Sequence, residues 1–168
     1  MKRTFFAFIF IFASLLMMAQ VKFTSPLGNF KATFPGTPEY SNSDVDISDG
    51  TTKLHMFLFT SDAGHVYLSA CANYPDSYLS SESDRNTFLE NAVEGFFGEL
   101  AIAPGNRVNV KSGKYKGLEY RGQNETYSVI YRVYIAKNTV FQIGILSNGG
   151  YIDAKSAKAF FKSFKITI

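Results

Sequence analysis

The chain has 168 residues, 46% of them hydrophobic and 16% aromatic, with 17 lysines and arginines against 14 aspartates and glutamates. Setting aside Lys2 and Arg3 as part of an export signal leaves 15 basic residues against 14 acidic ones, and a balance near +1 argues against a dedicated nucleic-acid binder. The single cysteine, Cys71, has no partner in the chain, so disulfides do not hold the fold and Cys71 reads as a small buried residue.

Residues 1–19 read as a signal peptide. Lys2 and Arg3 precede an apolar run from Phe5 to Met18, which is short for a membrane span of about 20 residues. Cleavage after Ala19 puts Met17 three positions before the cut, which keeps a signal anchor as an alternative. No cysteine follows the run, which excludes lipid attachment at the cut. Residues 20–168 are expected to form one domain, soluble after export to the periplasm or the medium, with no stable membrane span. Roughly 150 residues suffice for one sizeable core.

Val21 to Pro35 reads as a hairpin turning at Pro26, Leu27, Gly28 and Asn29, with Phe30, Ala32 and Phe34 on one face. Glu39 to Thr52 is polar, and its stretch from Asp44 to Ile47 alternates as an exposed edge strand does. Asp44, Asp46 and Asp49 invite a calcium-loop reading, but the sixth position is Asp49 rather than glycine and the twelfth is His55 rather than glutamate. Lys53 to Ser61 and His65 to Tyr74 form a second strand pair, expected to be covered on both faces. Neither His55 nor His65 has metal-ligand spacing.

Ser81 to Leu100 is the first predicted helix. Phe88, Leu89, Ala92, Val93, Phe96, Phe97 and Leu100 share a side, and Ser81, Ser83 and Asp84 offer caps. Glu90 and Glu94 fall on the other side, where nothing apolar would raise a carboxyl pKa for acid–base work. Arg107 to Tyr115 and Leu118 to Gln123 supply two strands expected to turn near Lys116 and Gly117.

Tyr127 to Ala136 and Thr139 to Leu146 are rich in β-branched and aromatic residues and are separated only by Lys137 and Asn138, the signature of a tight hairpin. Pairing about that turn sets Ala136 opposite Thr139, Tyr134 opposite Phe141, Arg132 opposite Ile143 and Ile130 opposite Ile145. Both faces are mostly apolar, so the hairpin is expected in mid-sheet, covered on both sides. After a loop over residues 147–150, Ala157, Phe160, Phe161 and Phe164 recur on one side of a second predicted helix. Lys155, Lys158, Lys162 and Lys165 on its other side read first as a solvated face, with contact to an anionic surface as the alternative.

Two stretches carry a resemblance. Phe23, Ser25, Pro26, Gly28 and Phe30, followed by Phe34, Pro35, Gly36 and Pro38, are similar to the opening of many small exported bacterial proteins. Gly117 to Arg121, Tyr131 to Tyr134, Val140 to Gln142 and Phe160 to Ile166 resemble their closing half. Such proteins look like relatives of the PsbP-like fold, named for an extrinsic subunit of the photosynthetic oxygen-evolving complex. The resemblance implies an α+β fold, an antiparallel sheet with two main helices in a layered α/β/α arrangement, and no shared activity.

No phosphate loop, dinucleotide turn, nucleophile elbow or cysteine–histidine cluster is present in the sequence, and no cofactor is expected. Arg132 stands out, because the hairpin register places its charge among Ile130, Tyr134, Phe141 and Ile143. A buried guanidinium needs a partner, and Glu119 on the preceding strand is the natural one. Arg132, Glu119, Arg121, Tyr120 and Tyr134 are therefore the candidate ligand-binding residues. The leading expectation is an exported, non-catalytic accessory or binding protein that contacts another envelope protein. The alternative is a carrier of a small anionic ligand or peptide with a pocket around Arg132, and behind both stands a hydrolase using His55 or His65.

Overall fold

The computed structural model describes residues 20–27, 29–48 and 50–168. The expected signal peptide, Gly28 of the first turn and Asp49 of the acidic stretch lie outside the described residues. Strands β1 (Val21–Thr24), β2 (Phe30–Phe34), β3 (Glu39–Ile47), β4 (Gly50–Thr60) and β5 (His65–Asn73) precede helix α1 (Glu82–Glu99). Then come β6 (Val108–Ser112), β7 (Tyr115–Gln123), β8 (Tyr127–Ala136), β9 (Thr139–Asn148), helix α2 (Ala154–Ser163) and β10 (Lys165–Ile166).

The strands form two antiparallel sheets. Seven follow the order β3-β4-β5-β9-β8-β7-β6, and three follow the order β1-β2-β10. This overturns the expected α+β layering of two main helices about one antiparallel sheet. Of the described residues 50% are in strands and 21% in helices, so the fold is sheet-rich.

The difference has a local cause at the end of α2. Phe164 takes extended backbone and ends the helix, so Lys165, expected on its outer side, pairs instead with Lys31 of β2, and Ile166 pairs with Phe30. The Phe30, Ala32 and Phe34 stripe of β2 is thereby turned onto the large sheet, where it shares with α2 the cover of one face. Phe34 meets Phe160 edge to face at 5.3 Å, and Phe30 meets Phe57 and Phe141 in the same way. On the opposite face α1 packs over β7 and β8, with Leu89, Val93 and Phe97 buried against Leu118, Val129, Tyr131 and Val133.

The β8–β9 hairpin lies in mid-sheet with the expected register: Ala136 opposite Thr139, Tyr134 opposite Phe141, Arg132 opposite Ile143 and Ile130 opposite Ile145. Its two apolar faces feed the two cores. Elsewhere the chain departs from expectation. The β6–β7 turn falls at Gly113 and Lys114, because Gly113 adopts the left-handed φ of 61° that a two-residue turn demands. Lys116 and Gly117 are therefore strand residues. β9 runs on through Ser147 and Asn148, shortening the expected loop. Cover of β4 is incomplete on both faces: Phe57 is buried, whereas Leu54, Met56 and Leu58 on one face and His55 and Phe59 on the other are half-buried. Among the described residues, no helix is long and apolar enough to cross a membrane.

Candidate functional site: a basic cleft at Arg132

Strand alternation places Arg132 on the face of β8 that looks toward α2, and α2 brings Phe161 beneath it. The guanidinium carbon lies 4.4 Å from the Phe161 ring centroid, a cation–π contact with an apolar wall. Across the ladder Glu119 is the direct partner of Arg132, and its Oε2 accepts from Arg132 Nε at 2.6 Å. Two residues further along β7, on the same face, Arg121 Nε donates to Glu119 Oε1 at 2.9 Å. One buried carboxylate is thus divided between two guanidiniums. The Arg132 side chain is 22% exposed and that of Arg121 68%, so both reach solvent while Glu119, at 6%, sits behind them.

In front of the pair opens a cleft of about 580 Å3 between α2 and the strands β6 to β8. Lys111, Arg121, Arg132, Lys158, Lys162 and Lys165 line it, over an apolar floor that includes Ile130, Phe161 and Phe164. The cavity falls within the ~300–1,000 Å3 of small-ligand sites. A guanidinium presents its donors in a planar fork that matches a carboxylate, sulfate or phosphate, and surrounding ammonium groups raise the local concentration of anions. Chemically, the cleft can hold and orient an anion.

The structure brings together three of the five expected site residues at this cleft: Arg132, Glu119 and Arg121. Tyr134 shares their face but lies beneath it, fully buried and stacked on Phe164 at 5.8 Å, and burial holds its phenol above the usual range. Tyr120 points the other way. It lies under α1, where its hydroxyl donates to Glu90 Oε2 at 2.7 Å, and burial, reinforced by that bond, pushes its pKa up to about 12.

Glu90 was expected on a solvated helix face. It is half-buried and also takes an ion pair from Arg107 at 2.6 Å, so it ties α1 to the strand below. Its position directly after buried Leu89 is the signal that sequence reading passed over. For the lysines of α2 and β10 the solvated face is the leading expectation over contact with an anionic surface, although Lys158 and Lys162 flank Phe161 at a spacing that brings both to one border of the helix.

The histidines do not build a catalytic arrangement among the described residues. His55 Nδ1 meets the Tyr40 hydroxyl at 2.8 Å on the outer strands, and His65 Nδ1 is buried without a hydrogen-bond partner. Asp44, part of the calcium-loop reading, is ion-paired with Lys53 at 2.7 Å. No group of three or more His, Cys, Asp or Glu among the described residues is placed to hold a metal ion. Neither a protein-family model nor a curated protein matches the chain.

Proposed function

We propose that the protein is an exported, non-catalytic binding protein whose ligand is an anion held in the cleft at Arg132. The observation that carries this reading is a charge imbalance. Six cations border one cavity, and Glu119, the carboxylate behind Arg121 and Arg132, is already shared by those two. A purely structural pair would need one guanidinium and no cavity. The second arginine, the lysines and the aromatic wall are features of anion recognition. Export to the periplasm or medium, and kinship with the small exported bacterial proteins it resembles, belong to the same proposal and supply no activity.

The test is calorimetric titration of the purified protein with citrate, phosphate and sulfate, beside Arg132→Met, which keeps the apolar stem and removes the charge. Wild type binds at least one of these anions, and Arg132→Met weakens that binding at least tenfold. Equal affinity in the two proteins, or no binding to wild type at low salt, would overturn the proposal.

A further inference from the structure

The basic cleft does not end at Arg121. A second cleft, of about 720 Å3, continues from it over the tip of the β7–β8 hairpin and the loop that leads into α2. The two share Arg121, Ile130, Tyr151 and Ile152 in their walls, so they form one groove. Its halves differ in chemistry. The α2 half is cationic, whereas in the hairpin half Glu125 offsets Arg121 and the remaining polar side chains are the uncharged amides and hydroxyls of residues such as Gln123, Thr126 and Ser128. Tyr151 stands where the halves join, 78% exposed.

The geometry points to an acidic oligosaccharide as the ligand, seated with its anionic group at Arg132 and its neutral sugars along the hairpin tip. This inference rests on the anion-binding reading of the Arg132 cleft and adds to it the class of molecule. Side-chain amides and hydroxyls provide paired donors and acceptors suited to vicinal sugar hydroxyls. An exposed tyrosine ring offers a flat apolar face to the axial C–H groups of a pyranose. An extended acidic peptide finds less here. In the hairpin half the one cation, Arg121, is offset by Glu125, so carboxylates spaced along a peptide find no partners there. The groove is also longer than a single carboxylate or phosphate requires, and its uncharged half contributes nothing to a simple anion.

The experiment measures binding of the purified protein to uronate-, sulfate- and phosphate-bearing oligosaccharides of two to six sugars, to uncharged oligosaccharides of the same lengths, to pentaglutamate and to citrate. At least one acidic oligosaccharide binds tenfold or more tightly than its uncharged counterpart, pentaglutamate or citrate. Tyr151→Ala and Gln123→Ala each weaken that complex about fivefold or more, and Gln123→Ala, which lies outside the cationic half, leaves citrate binding unchanged; both side chains are exposed, so folding is not at stake. If pentaglutamate or citrate binds as tightly as every acidic oligosaccharide, or if both substitutions are silent, the sugar assignment is overturned while the anion cleft stands. Failure of every anion to bind overturns both.

Discussion

Glu119 of β7 and Arg132 of β8 are cross-strand partners that meet at 2.6 Å, and the same carboxylate holds Arg121 at 2.9 Å. The arrangement is asymmetric. Glu119 is the buried member, so it orients two guanidiniums whose outer ends face the cleft. Removing it strands a largely buried cation, whereas removing the carboxylate and Arg132 together leaves only Arg121, which solvent already reaches. Glu119→Leu is expected to cost on the order of 3 kcal/mol in urea unfolding, and Glu119→Leu combined with Arg132→Met to recover most of that loss. A double variant as unstable as the single one would show that the cost comes from packing rather than from unpaired charge.

The cleft lysines should matter for binding and not for folding. Lys158 and Lys162 are exposed, so Lys158→Glu and Lys162→Glu are expected to change stability by no more than about 0.5 kcal/mol. Made together, they replace two attractive charges by two repulsive ones at the mouth of the cleft. Affinity for whichever anion wild type binds should fall at least tenfold at low salt, and the gap between the proteins should narrow as salt screens exposed charge. An unchanged affinity would place the anion elsewhere on the surface.

Gly117 is fixed by the ring of Tyr134. A Cβ at this position would overlap that ring and the carbonyl of Val133, and neither has room to withdraw because Tyr134 is buried against Phe164. Gly117→Ala is therefore expected to destabilise by about 1–3 kcal/mol through overpacking. Gly95, on α1, provides the contrast, since a Cβ there meets nothing within 4 Å and the backbone is helical. Gly95→Ala should stabilise by about 0.5–1 kcal/mol. Thermal or urea melts of the two variants should move in opposite directions, and a neutral Gly117→Ala would refute the packing argument.

Much of the frame was legible because it rests on short-range patterns. The β8–β9 register follows from a two-residue gap between two apolar runs, and the Arg132–Glu119 pair follows from one misplaced charge. The extents of α1 and the buried faces of both helices follow from spacing. What was not legible depended on decisions between distant segments. Lys165 continues the lysine spacing of the helix, and pairing with β2 draws it, with Ile166, into a strand that joins the β1–β2 pair as its third member. Gly113 and Gly117 are both plausible turn residues in sequence, and the left-handed backbone at the first decides between them. Glu90 looked solvated because its partners, Tyr120 and Arg107, lie 30 and 17 residues away. The cleft itself combines β6, β7, β8, α2 and β10, and no local pattern announces such a convergence.

That link between α1 and β7 also sets an alkaline limit on stability. Burial and the bond to Glu90 push the Tyr120 pKa up to about 12, and burial raises Tyr67, Tyr74, Tyr131 and Tyr134 as well. Each of these groups is neutral when protonated and ionises less readily in the fold than in the unfolded chain, where a tyrosine titrates near pH 10. The stability they contribute is thus complete below about pH 10 and is lost as pH rises toward the folded pKa, near 12 for Tyr120. Urea unfolding followed from pH 8 to pH 12 should show a flat region and then a steep decline. Tyr120→Phe removes one such proton together with its hydrogen bond. It should be less stable than wild type by about 1 kcal/mol at pH 8, and its decline above pH 10 should be shallower. Parallel declines in the two proteins would mean that Tyr120 ionises as easily in the fold as in water, and that the Glu90 contact does not hold α1 to the sheet.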